Sequence, residues 1–230
     1  MTQLKKTLLL SVAFTAMFAL SAQPAHALSF PLSLSTGNPA IAGFPGPYGS
    51  VDVILLDSNT AKITFTGGVV SPYFYLFGDG GSVGLNTNGA ATYNNDATFT
   101  QLSGFGGFFT GASFSSGGAG NEDGFGSFNF SLNDNGGFKE AVNSITFTID
   151  KTSGTWASAS DVLAANSNGA YAAAHIFVAS NTCTASNGDP VACATGFAAN
   201  GGSSVPDGGM TMSLLGLALG GLGLVARRRN

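Results

Sequence analysis

Positive charge is almost missing from the sequence between its two ends. Of eight lysines and arginines, five lie at positions 5–6 and 227–229. Residues 28–204 carry three lysines, no arginine and 11 acidic residues, which gives this stretch a formal charge of −8. An acidic surface of this kind repels phosphate groups, so we expect it to bind neither nucleic acid nor anionic lipid.

Histidine is also scarce, and no known catalytic motif is complete. Only His26 and His175 occur, which excludes a multi-histidine metal site. A Ser-His-Asp triad would need His175, but no G-x-S-x-G elbow is present, and its apolar neighbours predict a hydrogen-bonded core or edge position on a strand. The glycines within 78–84 miss the G-x-G-x-x-G spacing of a nucleotide site. We therefore predict that the protein is not an enzyme and has no cofactor and no metal.

Two acidic arrangements leave other chemistry open. Glu122, Asp123, Glu140 and several aspartates could include a carboxylate pair that flanks a glycosidic bond, although their spacing does not favour this over a solvated acidic surface. Residues 133–136 (Asn-Asp-Asn-Gly) resemble part of a calcium loop, but Val142 stands where the closing glutamate is expected. A calcium site of another kind, built from Asp and Asn loops, stays an alternative.

Short runs of β-branched and aromatic residues, separated by Gly, Asn and Ser, predict an all-β fold. The clearest alternation is at 144–149, where Ile145, Phe147 and Ile149 face one side of the strand. We expect an antiparallel β-sandwich of the jelly-roll type, with one short helix at 158–165 capped by Ser158 or Ser160. The predicted strands are 51–56, 62–66, 73–77, 98–102, 125–132, 144–149 and 174–178.

Phenylalanine recurs beside glycine throughout residues 99–138. One interpretation is a set of strands whose glycines lie at bends and whose phenylalanines lie in the core. The other is an aromatic surface that stacks on sugars or self-associates. The first is favoured, because an exposed apolar patch of that size is unusual.

The two cysteines of the chain, Cys183 and Cys193, are separated by a segment that contains Asn187-Gly188-Asp189-Pro190. These turn-forming residues can bring the two thiols together, and an exported protein meets an oxidising compartment. We predict a disulfide between them. A metal site is the alternative, but two thiols without a nearby histidine are a poor zinc site.

The N-terminus has the three parts of a cleavable signal peptide. Lys5 and Lys6 form a basic region, residues 8–20 form an apolar segment, and Ala25-His26-Ala27 forms a small-residue cleavage site. We expect cleavage after Ala27 by signal peptidase. An uncleaved anchor fits less well, because the apolar run is short for a membrane span.

The C-terminus combines a short motif, Val205-Pro206-Asp207-Gly208-Gly209, an apolar segment at 210–226 and the cluster Arg227, Arg228 and Arg229. At about 1.5 Å per residue the apolar segment reaches roughly 25 Å, near the lower limit for a transmembrane helix. The arginines are expected to stay in the cytoplasm as a stop-transfer signal, with the rest of the chain outside.

This tail resembles the PEP-CTERM sorting signal, in the variants whose motif reads Val-Pro-Asp. The resemblance implies that an exosortase-like membrane enzyme recognises Val205, Pro206 and Asp207 and removes the tail. Asp207 replaces the usual Glu and Gly208 the second Pro, which leaves the cleaved bond open. Segments around Trp156 and His175 also resemble uncharacterised PEP-CTERM proteins over much of 120–200, which implies no activity.

The sequence thus divides into a signal peptide (1–27), an exported β-rich domain (28–204) and a sorting tail (205–230). We expect a protein that crosses the inner membrane and resides at the cell surface or in the extracellular matrix. We expect it to have a structural or interaction role that is associated with exopolysaccharide or biofilm. The alternatives are a carbohydrate-binding jelly-roll module and, third, a polysaccharide-active hydrolase.

Replacing Pro206 and Asp207 together is expected to block removal of the tail while leaving membrane insertion intact, because neither residue lies in the spanning segment. Immunoblots and intact mass of membrane fractions should then show a form ~2–3 kDa heavier than the mature protein, for a tail of roughly 20–25 residues. Replacing Arg227, Arg228 and Arg229 with neutral residues should instead impair retention in the membrane. Wild-type surface protein that still carries Arg229 would contradict the sorting signal.

Overall fold

A computed structural model describes residues 29–201, and in this range the chain is all-β with antiparallel pairing throughout. The strands are short, and most of them are followed directly by Gly, Asn or Ser, as the residue pattern predicts. In chain order they are β1 (Ser29–Leu34), β2 (Thr36–Gly37), β3 (Gly49–Leu55), β4 (Thr60–Gly67), β5 (Val69–Val70), β6 (Tyr73–Phe77), β7 (Asp79–Leu85), β8 (Ala91–Tyr93), β9 (Thr98–Thr100), β10 (Ser115–Ser116), β11 (Gly120–Glu122), β12 (Gly126–Phe128), β13 (Phe130–Asp134), β14 (Ser144–Lys151), β15 (Ala172–Ala179) and β16 (Ala194–Ala199).

The strands form two sheets that share one core, in the manner of a β-sandwich. The first sheet has the order β1-β3-β4-β14, and both β8 and β9 pair with the far edge of β14. The second has the order β10-β13-β7-β15-β16-β2, with β6 also on β15 and β5 on β6. Strands β11 and β12 form a separate hairpin.

The core between the sheets follows the period-2 alternation of its strands. Ile145, Phe147 and Ile149 of β14 are buried, whereas the Ser and Thr residues between them are only partly buried. Phe147 stacks on Phe65 of the same sheet and on Phe130 of the other, at 6.5 and 6.0 Å between ring centroids. The orientation predicted for this strand is therefore confirmed.

Strand β15 departs from alternation because both of its faces are buried. Ala172, Ala174, Ile176 and Val178 belong to the core between the sheets. The opposite face of the strand is covered by a second layer made of two smaller apolar clusters. One contains Leu76, Phe109, Ala141, Phe177 and Ala179, and the other contains Phe125, Phe128, Ala170, Ala173 and Ala199.

The predicted strands are present, with one exception in their arrangement. The hairpin of β3 and β4 turns at Asp57, whose Oδ1 accepts hydrogen bonds from the Asn59 and Thr60 amides. The stretch 125–132 is two strands in different sheets, not one. The break lies at Asn129, whose side chain pairs with the backbone of Thr87 in both directions, at 2.8 Å each.

The predicted helix at 158–165 is wrong. Only a three-residue 3-10 turn, Ala159–Asp161, forms there, and Ser158 makes no side-chain cap. The chain beyond it pairs with another segment instead: Leu163 forms a β-bridge with Thr87, and the Ala164 amide donates to Asn86. Extended pairing therefore replaces the helical hydrogen bonds.

Helix is scarce in the remainder of the described range as well. The other helical segment in residues 29–201 is the 3-10 turn Gly137–Glu140. No helix in this range is long and apolar enough to span a membrane. The transmembrane helix predicted at 210–226 lies outside the described residues.

The predicted disulfide between Cys183 and Cys193 is present, with 5.4 Å between the two Cα atoms. It closes the loop that connects β15 to β16. Within that loop Thr184 forms a β-bridge with Pro190, and the Val191 amide donates to the Cys183 carbonyl. The loop is thus a small hydrogen-bonded ring.

Replacing both cysteines with serine is expected to lower the free energy of unfolding by ~2–3 kcal/mol, because the crosslink restricts only a short loop in the unfolded chain. The domain should still fold, since both cysteines are only partly buried and Cys193 lies at the margin of the core. Urea unfolding followed by the fluorescence of Trp156, the single tryptophan, measures this. Unfolding of wild type under reducing conditions is the matched control and should show the same loss. Free thiols in the exported wild-type protein would contradict the pairing.

Candidate functional site: an aromatic groove beside the disulfide loop

All of the sorting residues predicted from the sequence lie outside the described range. These are Ala25, Ala27, Val205, Pro206, Asp207, Arg227, Arg228 and Arg229. The disulfide cysteines are described, and one of them, Cys183, lines an open concavity on the surface. It measures about 800 Å³. We call this concavity the groove.

One wall of the groove is the glycine-rich segment 105–110. Phe109 is buried against the second sheet and anchors the segment. Phe105 and Phe108 flank it, each only partly buried, and each packs on the Phe109 ring at 5.4 and 5.3 Å between centroids. Gly106 and Gly107 have φ of 63° and 76°, a region that glycine adopts without strain. The chain can therefore reverse its direction between the two partly exposed rings of Phe105 and Phe108.

The opposite wall is the disulfide loop. Asn181, Thr184 and Asp189 line it. The Asp189 carbonyl accepts from the Ala185 amide at 2.8 Å, and the Asp189 carboxylate accepts from the Asn187 side chain at 2.6 Å. These bonds and the crosslink hold the polar wall in one shape. Thr110, Lys139 and Ser180 add further hydroxyl and ammonium groups.

The groove therefore combines two partly exposed aromatic rings with fixed amide, hydroxyl and carboxylate groups. Binding sites for small molecules and sugars combine apolar walls with a few placed polar groups in this way. An aromatic ring offers a flat apolar surface to one face of a pyranose, while the polar wall can pair with its hydroxyls. No sequence motif marks this site, because the two walls lie about 80 residues apart in the chain and meet only on the sheet.

His175 lies on the outer face of β15, between the two outer clusters. Its Nε2 is 2.7 Å from Thr195 Oγ1, and its ring stacks on Phe197 at 4.7 Å between centroids. Burial lowers the pKa of His175, against the opposing influence of Asp79 and the Gly78 backbone. The residue therefore favours the neutral form and has the hydrogen-bonded strand position that the sequence predicts.

The three carboxylates considered for catalysis have different neighbours. Asp123 is exposed and accepts from the Asn38 amide at 3.2 Å. Glu140 lies beside Asp134 in a concavity that also contains Ser113 and Ser115. Burial and the adjacent Glu140 raise the pKa of Asp134. Glu140 thus has one of the aspartates of the domain, Asp134, as its acidic neighbour.

Glu122 is the most unusual ionisable residue in the described range. Only 1% of it is exposed, and its Oε2 has no hydrogen-bond partner within residues 29–201. Burial raises the pKa of Glu122 from 4.5 to about 8. Glu122 lines a small recess of about 190 Å³ on the outer face of the second sheet, which we call the Glu122 recess.

The raised pKa of Glu122 makes stability depend on pH. In the unfolded chain this carboxyl ionises near pH 4.5, and in the folded chain near pH 8, so the folded state binds more protons between these values. The free energy of unfolding should therefore fall as pH rises from about 4.5 to about 8. Replacing Glu122 with Gln should remove this dependence and stabilise the protein at pH 8, by at most roughly 5 kcal/mol.

Urea unfolding in metal-free buffer between pH 4.5 and 8, followed by Trp156 fluorescence, measures this difference. The matched control is Asp123→Asn, which removes the neighbouring exposed carboxylate and should leave the slope unchanged. Parallel pH curves for wild type and Glu122→Gln would contradict the burial of an unpartnered carboxylate.

Comparison with known proteins adds no family: the chain matches no protein-family model, no curated protein and no solved structure.

Proposed function

We propose that this protein is exported across the inner membrane, released from its tail by an exosortase-like enzyme, and interacts with exopolysaccharide at the cell surface or in the extracellular matrix. The groove supports the second half of this proposal. It combines two partly exposed aromatic rings with a polar loop held by hydrogen bonds and a crosslink, and this arrangement suits a sugar chain. Its open form suits a polymer that passes along it.

The charge of the domain favours a neutral polysaccharide over an acidic one. Residues 28–204 carry a formal charge of −8, and Asp189 is an anionic group in the groove itself. Lys139 is the one cationic residue among those that line the groove. A polyanion would therefore be repelled over most of the surface.

A jelly-roll arrangement is part of the proposal. The chain passes repeatedly between the two facing antiparallel sheets, for example from β4 to β5 and from β13 to β14. Jelly rolls recur among lectin-like domains, which agrees with a carbohydrate-binding role. A non-catalytic role is also proposed: Glu122, Asp123 and Glu140 have three different sets of neighbours, and the concavity of the Asp134–Glu140 pair shares no lining residue with the groove.

Substituting both Phe105 and Phe108 with alanine is expected to weaken polysaccharide binding about 10-fold or more, because two stacking surfaces are lost. Asn181→Ala, which removes a polar group without touching the core, should weaken binding by several-fold. The full chain in detergent is tested by affinity electrophoresis in gels that contain neutral glucans or the exopolysaccharide of the producing bacterium.

The matched control is Phe99→Ala, which removes an exposed ring that does not line the groove. It should bind as wild type does. Trp156 fluorescence checks that each variant is folded. Absence of glycan binding by the wild-type protein, or equal binding by wild type and all three variants, would refute the groove as a polysaccharide site.

A further inference from the structure

The Glu122 recess has a floor of glycine residues over which the carboxylate lies. A Cβ atom at Gly81 would lie 2.5 Å from Glu122 Oε2, and one at Gly84 would lie 2.8 Å from Oε1. A side chain at either position would displace the Glu122 carboxylate, and Gly81 also has a φ of 67° that favours glycine. Glycine at both positions of β7 thus lets the carboxylate lie directly against the sheet.

No basic side chain neutralises the negative charge that Glu122 carries when it is ionised. The three lysines of the domain lie elsewhere: Lys62 on β4 of the other sheet, Lys139 beside the groove, and Lys151 over the Trp156 ring. A buried carboxylate without a partner is costly in its charged form. The group is stable only when it carries a proton or when a positive charge binds beside it.

The other polar groups of the recess are oxygen donors. Ser131 Oγ gives its proton to the Gly118 carbonyl, which leaves its lone pairs free to bind a cation. Asn133 Oδ1 also lines the recess and accepts from the Gly81 amide. A Cβ atom at Gly120 would lie 3.9 Å from Ser131 Oγ and 4.0 Å from Glu122 Oε1, so both oxygens face the same open space.

We propose that the Glu122 recess binds a divalent cation of the calcium class, with Glu122 as its anionic ligand and Ser131 and Asn133 as neutral ones. Carboxylate, amide and hydroxyl oxygens with backbone carbonyls are the ligands that Ca²⁺ takes, in flexible geometry. Mg²⁺ fits less well, because it demands a tight octahedral shell. The proposal is independent of the groove.

The affinity of this site is weak. No group of three or more His, Cys, Asp or Glu side chains suited to a metal occurs in residues 29–201, so one carboxylate carries the charge. Calcium sites of extracellular modules have dissociation constants of roughly 10⁻⁴–10⁻³ M, a range set by ligand charge. The site differs from the calcium loop considered at 133–136, because it shares only Asn133 with that loop and takes its carboxylate from β11.

Calorimetric titration of CaCl₂ into the EDTA-treated full chain in detergent at pH 8 should show one site per chain in that range of affinity. MgCl₂ should bind at least several-fold more weakly. In thermal unfolding, 10 mM CaCl₂ should raise Tm by roughly 3–8 °C. Glu122→Gln, which keeps the shape of the side chain, should lose the calcium response while remaining folded.

Two glycine variants test the place of the site. Gly120→Ala puts a methyl group into the shared space without removing Glu122 and should weaken calcium binding several-fold. Its matched control is Gly43→Ala, where an added Cβ meets nothing within 4 Å, and which should bind as wild type does. Loss of the response in Glu140→Gln but not in Glu122→Gln would move the site to the Asp134 concavity and overturn the proposal. Equal binding of Mg²⁺, or no calcium binding by wild type, would also overturn it.

Discussion

The second sheet depends on strand β15, whose outer face is as apolar as its inner face. A strand of this kind must be covered on both sides, since leaving either face in water would forfeit the apolar burial that stabilises the fold. The first sheet covers one face. The other face is covered by loops and by the small hairpin of β11 and β12. These elements bring six phenylalanines onto the sheet, namely Phe105, Phe108, Phe109, Phe125, Phe128 and Phe138.

This covering layer is discontinuous, and the concavities lie at its gaps. Along the outer face of β15, Ala173 belongs to one cluster, Phe177 and Ala179 belong to the other, and His175 stands between them. The groove lies at the far side of the Phe109 cluster, where the layer meets the disulfide loop. The Glu122 recess lies beside the Phe125 cluster, where the glycines of strand β7 have no side chains to cover the sheet. The need to cover an apolar sheet with loops thus generates both candidate binding sites.

The fold class could be predicted because strands such as β14 repeat an apolar residue at every second position. The position of strand β15 in the sequence could also be predicted. The burial of its second face could not, since a continuous apolar run does not show which element covers it. The prediction of a helix at 158–165 was wrong because pairing with residues 86–87, about 75 residues away in the chain, outweighed the local helix propensity. The groove and the recess were beyond sequence reasoning for the same reason: their walls meet only through the sheet. The local signals concerned single elements only: the turn chemistry between Cys183 and Cys193, the recurrence of phenylalanine beside glycine in residues 99–138, and the carboxylate of Glu122.

The low charge of the domain also determines which interactions it can use. With three lysines against 11 acidic residues, ion pairs can contribute little, and stability rests on apolar burial and backbone hydrogen bonding. Lys151 illustrates this, since its ammonium group donates to the Thr155 carbonyl and lies 5.3 Å from the Trp156 ring. A buried carboxylate in such a protein has no basic side chain with which it can form an ion pair. In the extracellular setting that we propose, a bound cation is the simplest source of the missing charge, and folding would then be linked to the calcium content of the surroundings.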